Sequence, residues 1–193
     1  MARNKEYMRE EVLDAATQIF WVKGFKGTAV SDLVAVTGLN KHSMYQEFGN
    51  KEGLFRECLD NYVLKINREE TNVLSQQPLG LNNIEEFFRR RLDHATSSKS
   101  PGCLLINSAI EKELLDEEAF KQVEHYLTLL EESFYQCLLA EQKAGGIPPE
   151  KDCRALAFYL LNVTAGMMVM SKTAPDKEKL TTMTTVALAI LKN

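Results

Sequence analysis

The chain is short of residues that break helices. Its 193 residues include only ten glycines and five prolines, below the ordinary usage of about 7% and 5%, and no proline precedes Pro78. So thin a supply of breakers predicts helix throughout. No segment alternates apolar and polar residues over strand length between turn residues, and there is no internal repeat or low-complexity tract. Long apolar runs are missing too, since none approaches the roughly 18 residues of a membrane span. The basic start MARNKEYMREE has no apolar stretch behind it, so neither a signal peptide nor a membrane partner is expected, and the reading is cytoplasmic.

Cysteine is scarce and scattered (Cys58, Cys103, Cys137, Cys153), with no CxxC and only three histidines in the chain. That excludes zinc-ligand spacing and argues against a disulfide framework. No catalytic residue, metal or cofactor is expected, which leaves an all-helical enzyme with little support. An excess of one charge is also lacking: 23 Lys and Arg face 27 Asp and Glu, a net −4. The balance rules out polycation behaviour but leaves room for a small local nucleic-acid surface. What is present is 45% hydrophobic and 26% charged residues, enough for a sizeable core in one or two domains.

Residues 6–23 place Val12, Leu13, Ala16, Ile19 and Phe20 on one helical face, ended by Gly24. Thr28 reads as the cap of a short helix holding Val30, Leu33 and Val34, and Gly38 breaks it. Asn40 caps a third helix, 41–48, that buries Met44 and Phe48; Gly49 ends it, and Asn50 caps a long helix to about residue 76. Helices follow at about 82–98, 103–115, 117–144, 150–173 and 176–192, with Asp116 and Asp176 as caps. The fold class is all-α, about nine helices by periodicity: a small three-helix unit, a connecting helix and a larger bundle.

The stretch TAVSDLVAVTGLNKHSMYQEF at 28–48 is two short helices joined at a glycine. In a helix-turn-helix of this kind the second helix can enter the DNA major groove; an ordinary helical corner is the bland alternative. The longer segment GFKGTAVSDLVAVTGLNKHSMYQEFGNKEGLF closely resembles the N-terminal DNA-binding domain of the TetR family of transcriptional regulators. The matching positions are Gly24, Phe25, Thr28, Val30, Asp32, Leu33, Gly38, Leu39, Ser43, Tyr45, Phe48, Lys51, Glu52, Leu54 and Phe55. GCLLINSAIE at 102–111 is similar to a segment of one branch of the family. Two departures are His42, where a small residue is common, and Ala29, where Thr or Ser is frequent.

The resemblance implies a DNA-binding domain at 1–50, helix 51–76 as connector, and a ligand-binding and dimerisation domain at 51–193. Thr28, Tyr45 and Lys51 match positions that touch the DNA backbone in the family; their ordinary alternatives are a cap, a half-buried aromatic and a solvated lysine. Arg3 and Lys5 sit on an expected flexible arm, and the helix start at Asn40 offers N–H groups to phosphate. Lys41, His42, Ser43, Gln46 and Glu47 lie on or near the outer face of helix 41–48, where at least two are expected to touch bases. Glu47 has the alternatives of discouraging wrong sequences or facing solvent. Residues 1–60 hold eight Lys and Arg against nine Asp and Glu, so attraction to DNA must be local.

A small-molecule pocket within the C-terminal bundle is likewise implied by the resemblance. Its candidates are Phe87, Phe88, Arg91, His94, Cys103, Asn107, Glu111, Tyr126, Phe134, Phe158 and Met167, with plain core as the alternative for the apolar ones. Cys103, after Pro101-Gly102 at a helix start, is either a thiol sensor or a small buried hydrophobe. The last two helices carry Leu156, Tyr159, Leu160, Val163, Gly166, Met170, Met183, Val186, Ala187 and Ile190, which by resemblance pair with their copies in a homodimer. The function so implied is a transcriptional regulator, a repressor released from a palindromic double-stranded operator by a small-molecule effector. The alternatives are a redox or electrophile sensor using Cys103, and a helical interaction module without DNA binding.

Overall fold

The computed structural model describes residues 2–97, 101–173 and 176–192, with side chains from residue 9 onward. Among the described residues every regular element is helical: α1 (Ala2–Gly27), α2 (Val30–Thr37), α3 (Lys41–Phe48), α4 (Lys51–Glu69), α5 (Leu81–Ala95), α6 (Leu104–Ile110), α7 (Glu117–Lys143), α8 (Cys153–Thr173) and α9 (Lys177–Lys192). Short 3-10 turns at Thr71–Ser75 and Lys112–Leu114 complete the set.

Local chemistry sets most of the helix ends. The helical path of α1 breaks at Gly24, whose φ of 74° lies in the left-handed region that a side chain disfavours. Gly38 ends α2 at φ 71° and returns its N–H to Val34 O. Side chains accept first-turn N–H groups at Asn40 (from Ser43, 2.9 Å), Asn50 (from Gly53, 2.7 Å) and Asp116 (from Ala119, 2.8 Å). Asp176 does the same for Glu178 and Lys179. One expected cap moves: Ala29, not Thr28, precedes α2, and Asp32 reaches back to the Ala29 N–H at 3.0 Å. The Thr28 hydroxyl instead donates to Gly24 O at 2.7 Å.

Two helices stop earlier than periodicity predicts. Helix α4 ends at Glu69 because Glu70 leaves helical geometry (φ −131°); Val73 and Leu74 are then buried by a 3-10 turn rather than by the expected continuation to residue 76. Asn83 staples that turn, donating to Val73 O and Gln76 O at 2.8 Å each. Helix α6 ends at Ile110, and the rest of the expected 103–115 helix is the 3-10 turn. Arg3 and Lys5 fall within α1, since nothing before Gly24 interrupts it; their side chains lie outside the described residues.

The chain divides into two compact units, Met1–Lys65 with Cys103–His125, and Ile66–Gly102 with Tyr126–Asn193. Neither unit is a single continuous stretch. The first is built on Ala16, Phe20, Leu33, Met44, Leu54, Phe55 and Leu59, all fully buried, each large side chain contributing about 1.5–3 kcal/mol. Phe20 and Phe25 both meet Phe55, at ring separations of 4.9 and 5.0 Å. Arg56 pairs with Asp116 and Glu118 at the start of α7, so this later segment packs with the N-terminal helices.

The second unit packs α5, α7, α8 and α9 around Phe87, Phe88, Phe134, Leu138, Leu160 and Met167. By length and composition α8 could cross a membrane, although no unbroken apolar run of that length stands in the sequence. The difference is one of averaging, because Asn162, Thr164 and Gly166 interrupt the run without lowering its mean far. Its Cys153, Ala157, Leu160, Thr164, Met167, Met168 and Ser171 are buried in the unit, while Phe158, Val169 and Met170 are exposed.

Candidate nucleic-acid interface

Helix α3 is held from below and bare above. Met44 and Phe48 are buried and anchor the helix, which at eight residues is too short to persist alone. Lys41, His42, Gln46 and Glu47 are exposed on its outer side, with Ser43 and Tyr45 half-buried. The Lys41 ammonium lies 5.6 Å from the Tyr45 ring centroid. Periodicity anticipated this division, because the anchoring residues are four apart and the polar ones fall between them.

The charge around α3 is arranged by residues that no motif signals. Arg9 of α1 meets Glu47 at 3.2 Å and also pairs with Glu57 of α4, and its guanidinium stands 5.4 Å from the Phe48 ring centroid. Glu47 is therefore tied to its own scaffold rather than standing alone among the candidate base readers. Lys23 similarly meets Asp32 at 3.0 Å.

Lys51 sits at the start of α4 and donates to Phe25 O at 2.6 Å, with the Phe25 ring 4.2 Å from its ammonium. Burial pushes its pKa down from the usual lysine value, against the opposing charges of Glu52 and Glu111. Thr28 is buried with its hydroxyl engaged, and Asn40 is a true cap. The interface candidates thus split into exposed side chains on α3 and structural groups at helix ends that frame it.

The pocket candidates are divided between the two units. Cys103, Asn107 and Glu111 belong to the first unit; Phe87, Phe88, Arg91, His94, Tyr126, Phe134, Phe158 and Met167 belong to the second. Phe87, Phe88 and Phe134 form a closed aromatic group, with centroids 5.3, 5.0 and 6.0 Å apart. Arg91, 1% exposed, meets Glu70 at 3.0 Å and stands 5.3 Å from the Phe87 ring, and His94 Nδ1 lies 2.7 Å from the same carboxylate. Arg91 and His94 thereby hold an internal carboxylate that the sequence did not mark. Phe158 departs from its expected place: it is 59% exposed, because α8 is apolar on more than one face and turns Leu160 inward instead. Cys103 is buried as the cap residue of α6. Glu111 accepts from the Phe25 N–H at 2.8 Å, a contact with α1 that spacing could not reveal.

The expected dimer residues divide as well. Leu160 and Ala187 lie in the core of their own unit, a correction to their place on an outer seam. The cause is again the two-faced apolar pattern of α8 and α9. Met170, Val186 and Ile190 are 51%, 56% and 43% exposed, Gly166 is exposed, and Leu156, Tyr159, Val163 and Met183 are half-buried.

Comparison with known proteins agrees with this geometry. Residues 12–58 match the family described as "Bacterial regulatory proteins, tetR family", and residues 80–187 match "Tetracyclin repressor-like, C-terminal domain". The HTH-type transcriptional repressor ComR of Escherichia coli K12 is 30% identical over 180 residues, covering 92% of this chain and 86% of that protein. The uncharacterized HTH-type transcriptional regulator YezE of Bacillus subtilis is 29% identical over 193 residues, covering 99% and 100%. A cysteine mutant of the TetR family regulator CifR, solved with 26-base-pair double-strand operator DNA, superposes with a TM-score of 0.83 at 27% identity, covering 94% and 95%. The chain belongs to the TetR family of bacterial regulatory proteins and is a DNA-binding regulator of transcription, not an enzyme.

Proposed function

We propose that the chain is a cytoplasmic homodimeric repressor that reads a palindromic double-stranded operator through α3 of each protomer and is released by a small-molecule effector. Residues 1–50 then act as the DNA-binding domain, and residues 51–193 as the effector-binding and dimerisation domain. The observation that carries the reading is the outer side of α3, where Lys41, His42 and Gln46 are exposed above the buried anchors Met44 and Phe48. Exposed Met170, Val186 and Ile190 on the last two helices support a seam with a second copy. Two-fold pairing gives two recognition helices for two half-sites. An effector acts only through its differential affinity for the two arrangements of the dimer.

A gel-shift with the DNA upstream of the chain's own coding region, at two salt concentrations, tests this. A retarded band that weakens at the higher salt is expected; no band at either concentration would overturn the reading. Lys51→Ala and Tyr45→Phe are expected to weaken binding to all duplexes alike, because backbone contacts position without specifying. Loss of Lys51 lowers the salt slope by about one unit. A switch of preferred sequence at intact affinity would contradict that role. For His42→Gly the reverse is expected, a change of preference among half-sites larger than the change in overall strength. Competition gel-shifts measure this, and equal weakening on every sequence would assign His42 to the backbone.

A further inference from the structure

Phe25 is held at both ends of its backbone. Its N–H donates to Glu111 Oε2 at 2.8 Å, and its carbonyl accepts from Lys51 Nζ at 2.6 Å. Gly24 makes the seat: beyond its φ of 74°, a Cβ there would stand 2.7 Å from Glu111 Oε1. The backbone conformation favours glycine there, and any side chain would also push the Glu111 carboxylate from its place. The Glu111 backbone is anchored, since its N–H bonds to Asn107 O and Ser108 O at 3.2 and 3.1 Å where α6 ends.

We propose that Glu111 is a positioning residue for operator binding, clasping the Phe25 amide so that the Phe25 carbonyl holds the Lys51 ammonium ready for a DNA phosphate. The proposal rests on the DNA-binding reading above and adds a member that lies outside the helix-turn-helix. An ammonium has three donors; one is on Phe25 O, which leaves two for phosphate oxygens. A lysine loses rotamer freedom when it grips a phosphate, and holding it beforehand moves that loss from binding into folding. The carbonyl that holds it follows a left-handed glycine, where the backbone has the most latitude. A charged acceptor on the next N–H removes that latitude, because hydrogen bonds to carboxylates are shorter and stronger than neutral ones. The carboxylate also supports the Lys51 charge against burial.

The test uses the full chain and a duplex that the wild type selects from a random-sequence library. Glu111→Ala is expected to bind this duplex about tenfold more weakly, equivalent to about 1.4 kcal/mol. Glu111→Gln, whose amide oxygen still accepts from Phe25, stays within about threefold of wild type. In a Lys51→Met background the Glu111→Ala effect falls below about threefold, since both changes break one linkage. Wild-type affinity in Glu111→Ala, equal weakness in the Ala and Gln variants, or full additivity with Lys51→Met would each overturn the proposal. Should Glu111→Ala fail to fold, hydrogen exchange at the Phe25 amide decides. Slow exchange in wild type and Glu111→Gln is expected; exchange as fast as at an exposed amide overturns the clasp. If the wild type selects no duplex, the DNA-binding reading itself fails, which is a separate result from selection with indifferent Glu111 variants.

Discussion

Gly166→Trp is expected to shift the protein from dimer to monomer and to weaken operator binding while residues 1–60 stay folded. Gly166 lies on the exposed side of α8, and a Cβ built there meets nothing within 4 Å in its own protomer. A side chain can therefore leave the backbone at this exposed position without a clash at its Cβ. Replacing a mid-helix glycine also favours the helix by up to about 1 kcal/mol, so α8 itself should not suffer. Any loss must come from a surface that faces the residue in a second copy. Overpacking there costs roughly 1–3 kcal/mol per site, and two-fold symmetry incurs it twice. The dimer dissociation constant should rise by roughly 30-fold or more. A lone recognition helix then reads one half-site and forfeits the linked second contact. Sedimentation equilibrium and gel-shift on one sample check both effects. A variant that stays dimeric with full operator affinity would put the seam elsewhere.

Arg91→Met should be the most destabilising single change in the second unit. Arg91 and Glu70 are 1% and 3% exposed, and their charged groups approach to 3.0 Å. Removing one member of such a pair leaves a buried charge and costs about 3–5 kcal/mol. For a chain of this size that lowers Tm by roughly 6–20 °C. His94 still reaches Glu70 at 2.7 Å but cannot fill the space of the guanidinium against Phe87 and Met168. Arg91→Met with Glu70→Gln should recover most of the loss, since replacing a whole buried pair is often neutral. Thermal unfolding of the two single variants and the double variant measures the coupling. A stable Arg91→Met that only loses its response to effector would instead make Arg91 a ligand contact.

How much of this was legible in the sequence depends on how far each controlling interaction reaches along the chain. The breaks at Gly24 and Gly38 and the caps at Asn40, Asn50, Asp116 and Asp176 could be read directly. Each is settled by one residue's φ and ψ or by a hydrogen bond within three residues. The anchors Met44 and Phe48 were legible for the same reason, four apart on one helix face.

Tertiary structure alone decided the rest. Glu70 leaves α4 and faces Arg91 and His94, more than twenty residues on. The Glu111 side chain reaches Phe25, 86 residues away, and Arg9 reaches Glu47 across 38. Whether Leu160 or Phe158 faces inward could not be read from α8, because a helix apolar on two sides has two candidate inner faces. Burying one side in the unit leaves the other outward, so the inner face is set by the neighbouring helices, not by the period of the sequence.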